Sequence, residues 1–169
     1  KTLWDPTGEH LDMQAAGFPL LSTHKRKPYT NQKFLAVSNT DSRVDVPHMR
    51  AAEMFLIEAE ALARSNQDGP AAQALFTLVT SRDDAYALSS NTGTALVDEI
   101  MVQRRIELWG EGFRWYDLKR LNLPLDRTGS NQTVAVAGFM EVAAGDNMWT
   151  WPIPQDEMDA NDLMEQNPI

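Results

Sequence analysis

The chain has 169 residues, enough for one domain that buries a sizeable core. A net charge of −9 and a pI near 4.7 argue against a nucleic-acid partner, which would require a basic stripe. The absence of cysteine excludes disulfides and thiolate-held zinc; no apolar run reaches the roughly 18 residues that span a bilayer, and the polar opening at Lys1 carries no signal-peptide pattern.

Residues 1–47 are rich in turn formers, among them Pro6, Gly8, Gly17, Pro19, Pro28, Asn31 and Asn39. They read as irregular structure with one short extended piece over 33–37. Pro47 marks a helix start. Met49, Ala52, Leu56, Ala59 and Ala63 then recur at spacings of three and four, giving an amphipathic helix with an alanine-rich seam, and Glu60 and Arg64 form an i,i+4 pair. Asp68-Gly69-Pro70 turn the chain into a second helix whose stripe is Ala72, Leu75, Phe76 and Val79. A connection this short predicts an antiparallel hairpin of tetratricopeptide-like size. After a loop over 81–93, Thr94 is the predicted cap of a third helix, with Asp98 and Glu99 in its early turns. Leu96, Val97, Ile100, Met101 and Leu108 are its predicted buried face.

Residues 103–120 pack charge, aromatics and two glycines into one run. Arg104 and Glu107 are three apart and can pair on a helix face; Gly110 and Gly112 bend the chain; Asp117 and Arg120 repeat the pairing beyond the bend. After Asn122 the pattern weakens. Strands are predicted at 133–137 and 148–151 around a turn at 145–147, with Trp149 and Trp151 on one face. A short helix over 154–160 follows, and 148–161 reads as a clasp that packs back on the helices. No internal repeat is established.

The central run resembles the signature of the SusD/RagB family, Arg-Arg-x-Glu-Leu followed by Glu-Gly-x-Arg-Trp/Phe-x-Asp-Leu-x-Arg. Arg104, Arg105, Glu107, Leu108, Glu111, Gly112, Arg114, Trp115, Asp117, Leu118 and Arg120 match it in order. Gln103 stands where the family more often has Glu. The stretch from Arg50 to Arg64 is similar to the family helix with its Ala-Glu-Ala-Leu box, here Ala59 to Leu62. Trp151 to Asn161 resembles the Pro-Ile-Pro-Gln closing motif, and Asn167-Pro168 its tail.

The resemblance covers about 48–169 and implies a mainly α fold: tetratricopeptide-like helical hairpins in a SusD-like α-α superhelix, with a loop-rich, partly extended annex. It divides the chain into 1–47, continuing an upstream region, and 48–169, the C-terminal helical region with its terminal clasp. It also implies a surface lipoprotein of Bacteroidota that captures a nutrient glycan, or a peptide, at the extracellular face of the outer membrane. The helical scaffold would dock on a SusC-like TonB-dependent transporter, and the only membrane attachment would be an N-terminal lipid anchor absent from this chain.

Carboxylates invite comparison with glycoside hydrolysis, which needs two of them at a set separation with one pKa raised. Glu107 and Glu111 sit among Arg104, Arg105 and Arg114, an environment expected to lower their pKa values. They read as structural ion pairs, and no catalytic residue is assigned. His10, His24 and His48 are widely spaced, so no metal site and no cofactor is expected. Trp109, Trp115, Tyr116, Trp149 and Trp151 lie in dense motifs and read as core. Trp4 and Tyr29, in the loop-rich opening, are the candidate glycan-binding rings, because sugars stack on exposed aromatic faces. Two other functions stay open: a helical protein-interaction module, and a glycan-processing enzyme.

Overall fold

The computed structural model describes residues 33–34, 41, 43–130 and 132–168, together with the backbone of 4–5 and 30–31. It is mainly helical, as expected. The chain divides into two compact units, Lys1–Glu111 and Gly112–Ile169.

In the first unit a two-residue strand β1 (Trp4–Asp5) pairs antiparallel with β2 (Thr30–Asn31), Trp4 opposite Asn31. The extended piece expected at 33–37 falls largely outside the described residues. Helix α1 spans Ala51–Arg64, so Pro47 does not begin it. The helix starts late because Arg50 is held in an extended conformation by partners distant in sequence, described below, and Met49 lies outside the helix and exposed. The rest of the expected stripe holds: Ala52, Leu56, Ala59 and Ala63 are buried. The Glu60–Arg64 pair also forms, at 2.8 Å.

Asn66 takes a positive φ of 60° and closes α1. Its N–H donates to the Ala63 carbonyl at 3.0 Å, and the Gln67 N–H to the Leu62 carbonyl at 2.9 Å. These two bonds satisfy carbonyls that every helix end otherwise leaves orphaned. Helix α2 (Asp68–Val79) follows at once and packs on α1 through Ala71, Ala72, Leu75, Leu78 and Val79. Helix α3 spans Gly93–Glu107, with Thr92 rather than Thr94 at its N-cap. The cap comes from elsewhere: the Gly93 N–H donates to Asp68 Oδ2 at 3.1 Å, so α2 supplies the anion for the start of α3. Glu99 binds the intervening loop, accepting from Tyr86 Oη at 2.5 Å, Asn91 Nδ2 at 2.8 Å and the Ser89 hydroxyl. Leu96, Ile100 and Leu108 are buried and join the core of Leu56 and Leu75.

In the second unit α4 (Phe113–Arg120) ends as α1 does. Asn122 has φ 50°, its N–H donates to the Lys119 carbonyl at 3.1 Å, and the Leu123 N–H to the Leu118 carbonyl at 2.8 Å. Strands β3 (Leu125–Asp126) and β4 (Glu141–Val142) pair antiparallel. Between them Val134–Ala137 forms one helical turn, α5, where a strand is predicted. β-branched valines favour a strand, but extended Thr133 before them and Gly138 at φ 72° after them suit a single turn closed by three backbone bonds to Thr133 and Val134. The second expected strand is also absent: Asn147–Trp149 is a 3₁₀ turn whose first N–H groups are met by Asp146, Oδ1 accepting from the Met148 N–H at 2.8 Å. That turn separates the two indoles, with Trp149 only 6% exposed and Trp151 75%. Helix α6 spans Gln155–Ala160. Its approach, 151–154, is closed from the tail: Gln166 accepts from the Ile153 N–H at 2.8 Å and donates to its carbonyl at 3.0 Å, and Asn167 donates to the Trp151 carbonyl at 2.8 Å. Pro152 and Pro154 have no N–H to give, so side-chain amides replace the missing strand ladder.

Candidate functional site

Two places in the described residues concentrate chemistry, one in each unit. The first is the corner after α3. Glu107 and Glu111 have side chains only 7% and 4% exposed. Arg50 bridges them: Nη1 donates to Glu107 Oε1 at 2.6 Å, Nη2 to Glu111 Oε1 at 2.6 Å, and Nε to Glu111 Oε2 at 3.1 Å. Arg82 donates to both oxygens of Glu107 at 3.1 Å. Lys33 donates to the carbonyls of Glu107 and Trp109 at 2.9 and 3.0 Å and to the Glu111 carboxylate. One ammonium therefore meets both the negative end of the helix and an acid. The Phe34 ring lies over Gly110, and a β-carbon there would come within 2.6 Å of it. Gly110 also has φ 77°, so this position excludes side chains twice over.

The electrostatic consequence is definite. Burial pushes both carboxyls up, but hydrogen bonds from Arg82 and Arg50 to Glu107, and from Arg50 and Lys33 to Glu111, outweigh it and hold both below their ordinary value of 4.5. Neither retains a proton at neutral pH, so neither suits a general acid. The direction matches the sequence expectation, but the identified partners differ. Arg104, Arg105 and Arg114 were the expected ones; Arg50, Arg82 and Lys33 fill the role.

The second place is an open cleft of about 170 Å³ in the second unit. Leu118, Lys119, Asn122 and Leu123, at the end of α4, form one side. Gly145, Asp146, Trp149 and Thr150 form the other. Trp149 is fixed by its indole N–H, which donates to the Ala143 carbonyl at 2.7 Å, and by the Trp115 ring at a centroid distance of 4.8 Å. No sequence argument pointed here, although Asn122 at a helix end is a recognisable cap signal.

Of the predicted glycan-binding residues, Trp4 is placed only by its backbone, in β1, and Tyr29 lies outside the described residues. The expectation that the motif aromatics are core holds for Trp149 alone: Trp109 is 44%, Trp115 36%, Tyr116 69% and Trp151 75% exposed. No group of three or more His, Cys, Asp or Glu among the described residues is arranged to hold a metal ion.

Comparison with known proteins follows the same lines. The sequence model of the SusD family matches residues 22–169. SusD-like protein P38 of Formosa agariphila is 31% identical over 126 residues, which is 70% of this chain and 23% of that protein. Among solved structures, a SusD superfamily protein of Bacteroides thetaiotaomicron covers 99% of this chain with 36% of its own length, at 26% identity and a TM-score of 0.68. A putative sugar binding protein of Bacteroides vulgatus covers 73% of this chain with 28% of its own, at 29% identity and a TM-score of 0.64. The chain thus spans about a quarter to a third of the length of these relatives.

Proposed function

The chain belongs to the SusD family, and on that premise we propose that it serves non-catalytic capture of a nutrient glycan at the cell surface. The family match over 22–169 carries this reading. The solved relative described as a putative sugar binding protein supports the ligand class. The lowered pKa values of Glu107 and Glu111 support binding without turnover, because this buried carboxylate pair is committed to ion pairs.

In this reading the captured oligosaccharide passes to a SusC-like TonB-dependent transporter, and the protein sits on the outer face of the outer membrane. The proposed division sets 48–169 apart as the helical region with its clasp. Trp4 and Tyr29 remain the proposed glycan-contacting rings of the opening segment. Calorimetry of the entire natural gene product against an oligosaccharide panel, with product analysis, tests the proposal. Saturable binding with the ligand recovered intact is expected. Newly released reducing ends would overturn it in favour of an enzyme.

A further inference from the structure

We propose that the cleft between the end of α4 and the 145–150 turn is a subsite for one neutral sugar unit, such as the terminal residue of a glycan. The ligand class rests on the reading above; the place and size of the site rest on the geometry.

At about 170 Å³ the cleft is smaller than the roughly 300–1,000 Å³ of pockets for drug-sized ligands, so it suits a single ring rather than a chain. Its charges are balanced, with Lys119 on one side and Asp146 on the other, which gives no net field for a phosphate or carboxylate. Its apolar share, Leu118, Leu123 and Trp149, is broken by polar groups and offers no continuous surface to a lipid chain. What remains is a mixture of donors and acceptors beside an indole, and sugar hydroxyls are donors and acceptors at once. Among the described residues the side chains of Asn122 and Thr150 make no hydrogen bond, and Asp146 commits only Oδ1 to its own turn. These groups can serve a ligand without breaking anything already formed.

The cleft is also preorganised. The backbone at Asn122 is fixed by its own N–H bond to Lys119 and by that of Leu123 to Leu118, and Trp149 is fixed by its bond to Ala143 and its contact with Trp115. Only the Asn122 and Thr150 side chains are left for the ligand to order, which favours binding even by a small site.

The test uses the 169-residue chain and methyl glycosides of glucose, galactose and mannose at millimolar concentration, followed by NMR of the Trp149 indole and Asn122 amide signals. Saturable shifts at those signals with at least one glycoside are expected. Asn122→Gly removes the amide but keeps the left-handed cap, so the fold survives while affinity falls about five- to tenfold. Thr150→Val, nearly isosteric, should weaken binding less. A thermal melt of each variant verifies folding. No saturable shift, shifts mapping elsewhere, or affinity unchanged in both variants would overturn the subsite. Oligosaccharide binding by the gene product that both substitutions leave untouched would do the same while leaving glycan capture standing. Cleft binding of single units by a gene product that takes up no oligosaccharide would overturn capture and leave the subsite.

Discussion

The end of α3 is held by charge. Two buried carboxylates, at Glu107 and Glu111, meet Arg50, Arg82 and Lys33, and the partners come from 25 to 78 residues away. The turn at 145–150 is held by local hydrogen bonds and a ring contact: one indole donating to Ala143, one Asp146 carboxylate oxygen closing its own turn, and Trp149 against Trp115. The first unit has helices of 14, 12 and 15 residues whose periodic faces fill a core, so it can carry the cost of burying ions. The second unit has no described helix longer than the 8 residues of α4, and caps and side-chain bonds to the backbone take the place of a deep core. Arg127 does this too, donating to the carbonyls of Ala137 and Phe139 at 3.3 and 3.0 Å.

The comparison breaks first at Arg50. Arg50→Ala leaves two buried carboxylates short of their shared partner and should cost about 3–5 kcal/mol in a urea melt. A loss below about 1 kcal/mol would show that water replaces the guanidinium and that the corner is wet. Acid should probe the same site. Both carboxyls have folded pKa values below 4.5, so their contribution is complete above the ordinary carboxylate range and fades as pH falls through the lower folded values. Melting temperature should therefore fall with acid below about pH 4.5, and Arg50→Ala should flatten that fall. An identical acid profile in the variant would assign acid sensitivity to other groups.

In the second unit the equivalent lesion is Trp149→Ala, which removes the one large, nearly buried side chain of the 145–150 turn. A loss of about 3 kcal/mol is expected, at the low end for a buried aromatic because the surroundings are open and can collapse. Hydrogen exchange of amides 113–150 reads it, and unchanged protection there would mean that the indole packs without holding the unit together.

How much of this was legible in the sequence follows from the same contrast. Ala52, Leu56, Ala59 and Ala63 announce a buried face because a helix repeats every 3.6 residues and the pattern runs long enough to register. The corner gives no such sign. Arg50 heads a helix in sequence and pairs with the end of another in space, and local spacing favoured Arg104 as the partner of Glu107. Residues 133–137 were misread because two valines in five residues suggest a strand, while Thr133 and Gly138 at the ends decide for a turn. The 148–151 segment was misread for the same reason, with Asp146 as the deciding residue. In short segments the end residues outweigh the interior. The cleft at Asn122 is less legible still, because it requires two segments that the sequence separates by more than twenty positions.

Helix ends give a smaller and cleaner test, since α1 and α4 use the same device. Asn66 and Asn122 both hold a positive φ that asparagine tolerates and alanine resists. Asn66→Ala should cost about 1–2 kcal/mol, and Asn66→Gly close to nothing. Equal losses in both variants would mean that the amide side chain, rather than the backbone angle, is what α1 needs.

The smallest effect is expected at the pair that was easiest to read. Glu60 and Arg64 stand four apart on α1 and bond at 2.8 Å, much like the bonds Arg50 makes. Their surroundings differ. The Arg64 side chain is 44% exposed, against 22% for Arg50, and water can take over much of what the guanidinium provides. Arg64 is the exposed member, the Glu60 side chain being only 8% exposed, and an i,i+4 pair whose cation stands in water contributes about 0.3–0.5 kcal/mol and is screened by salt. Arg64→Gln should therefore lower stability by no more than about 0.5 kcal/mol, and 1 M NaCl should erase even that difference. The measurement is a pair of urea melts at low and high salt, run beside Arg50→Ala. If Arg64→Gln cost as much as Arg50→Ala, and salt left it unchanged, then local spacing would matter as much as burial, and the distinction between the helix face and the buried corner would fail.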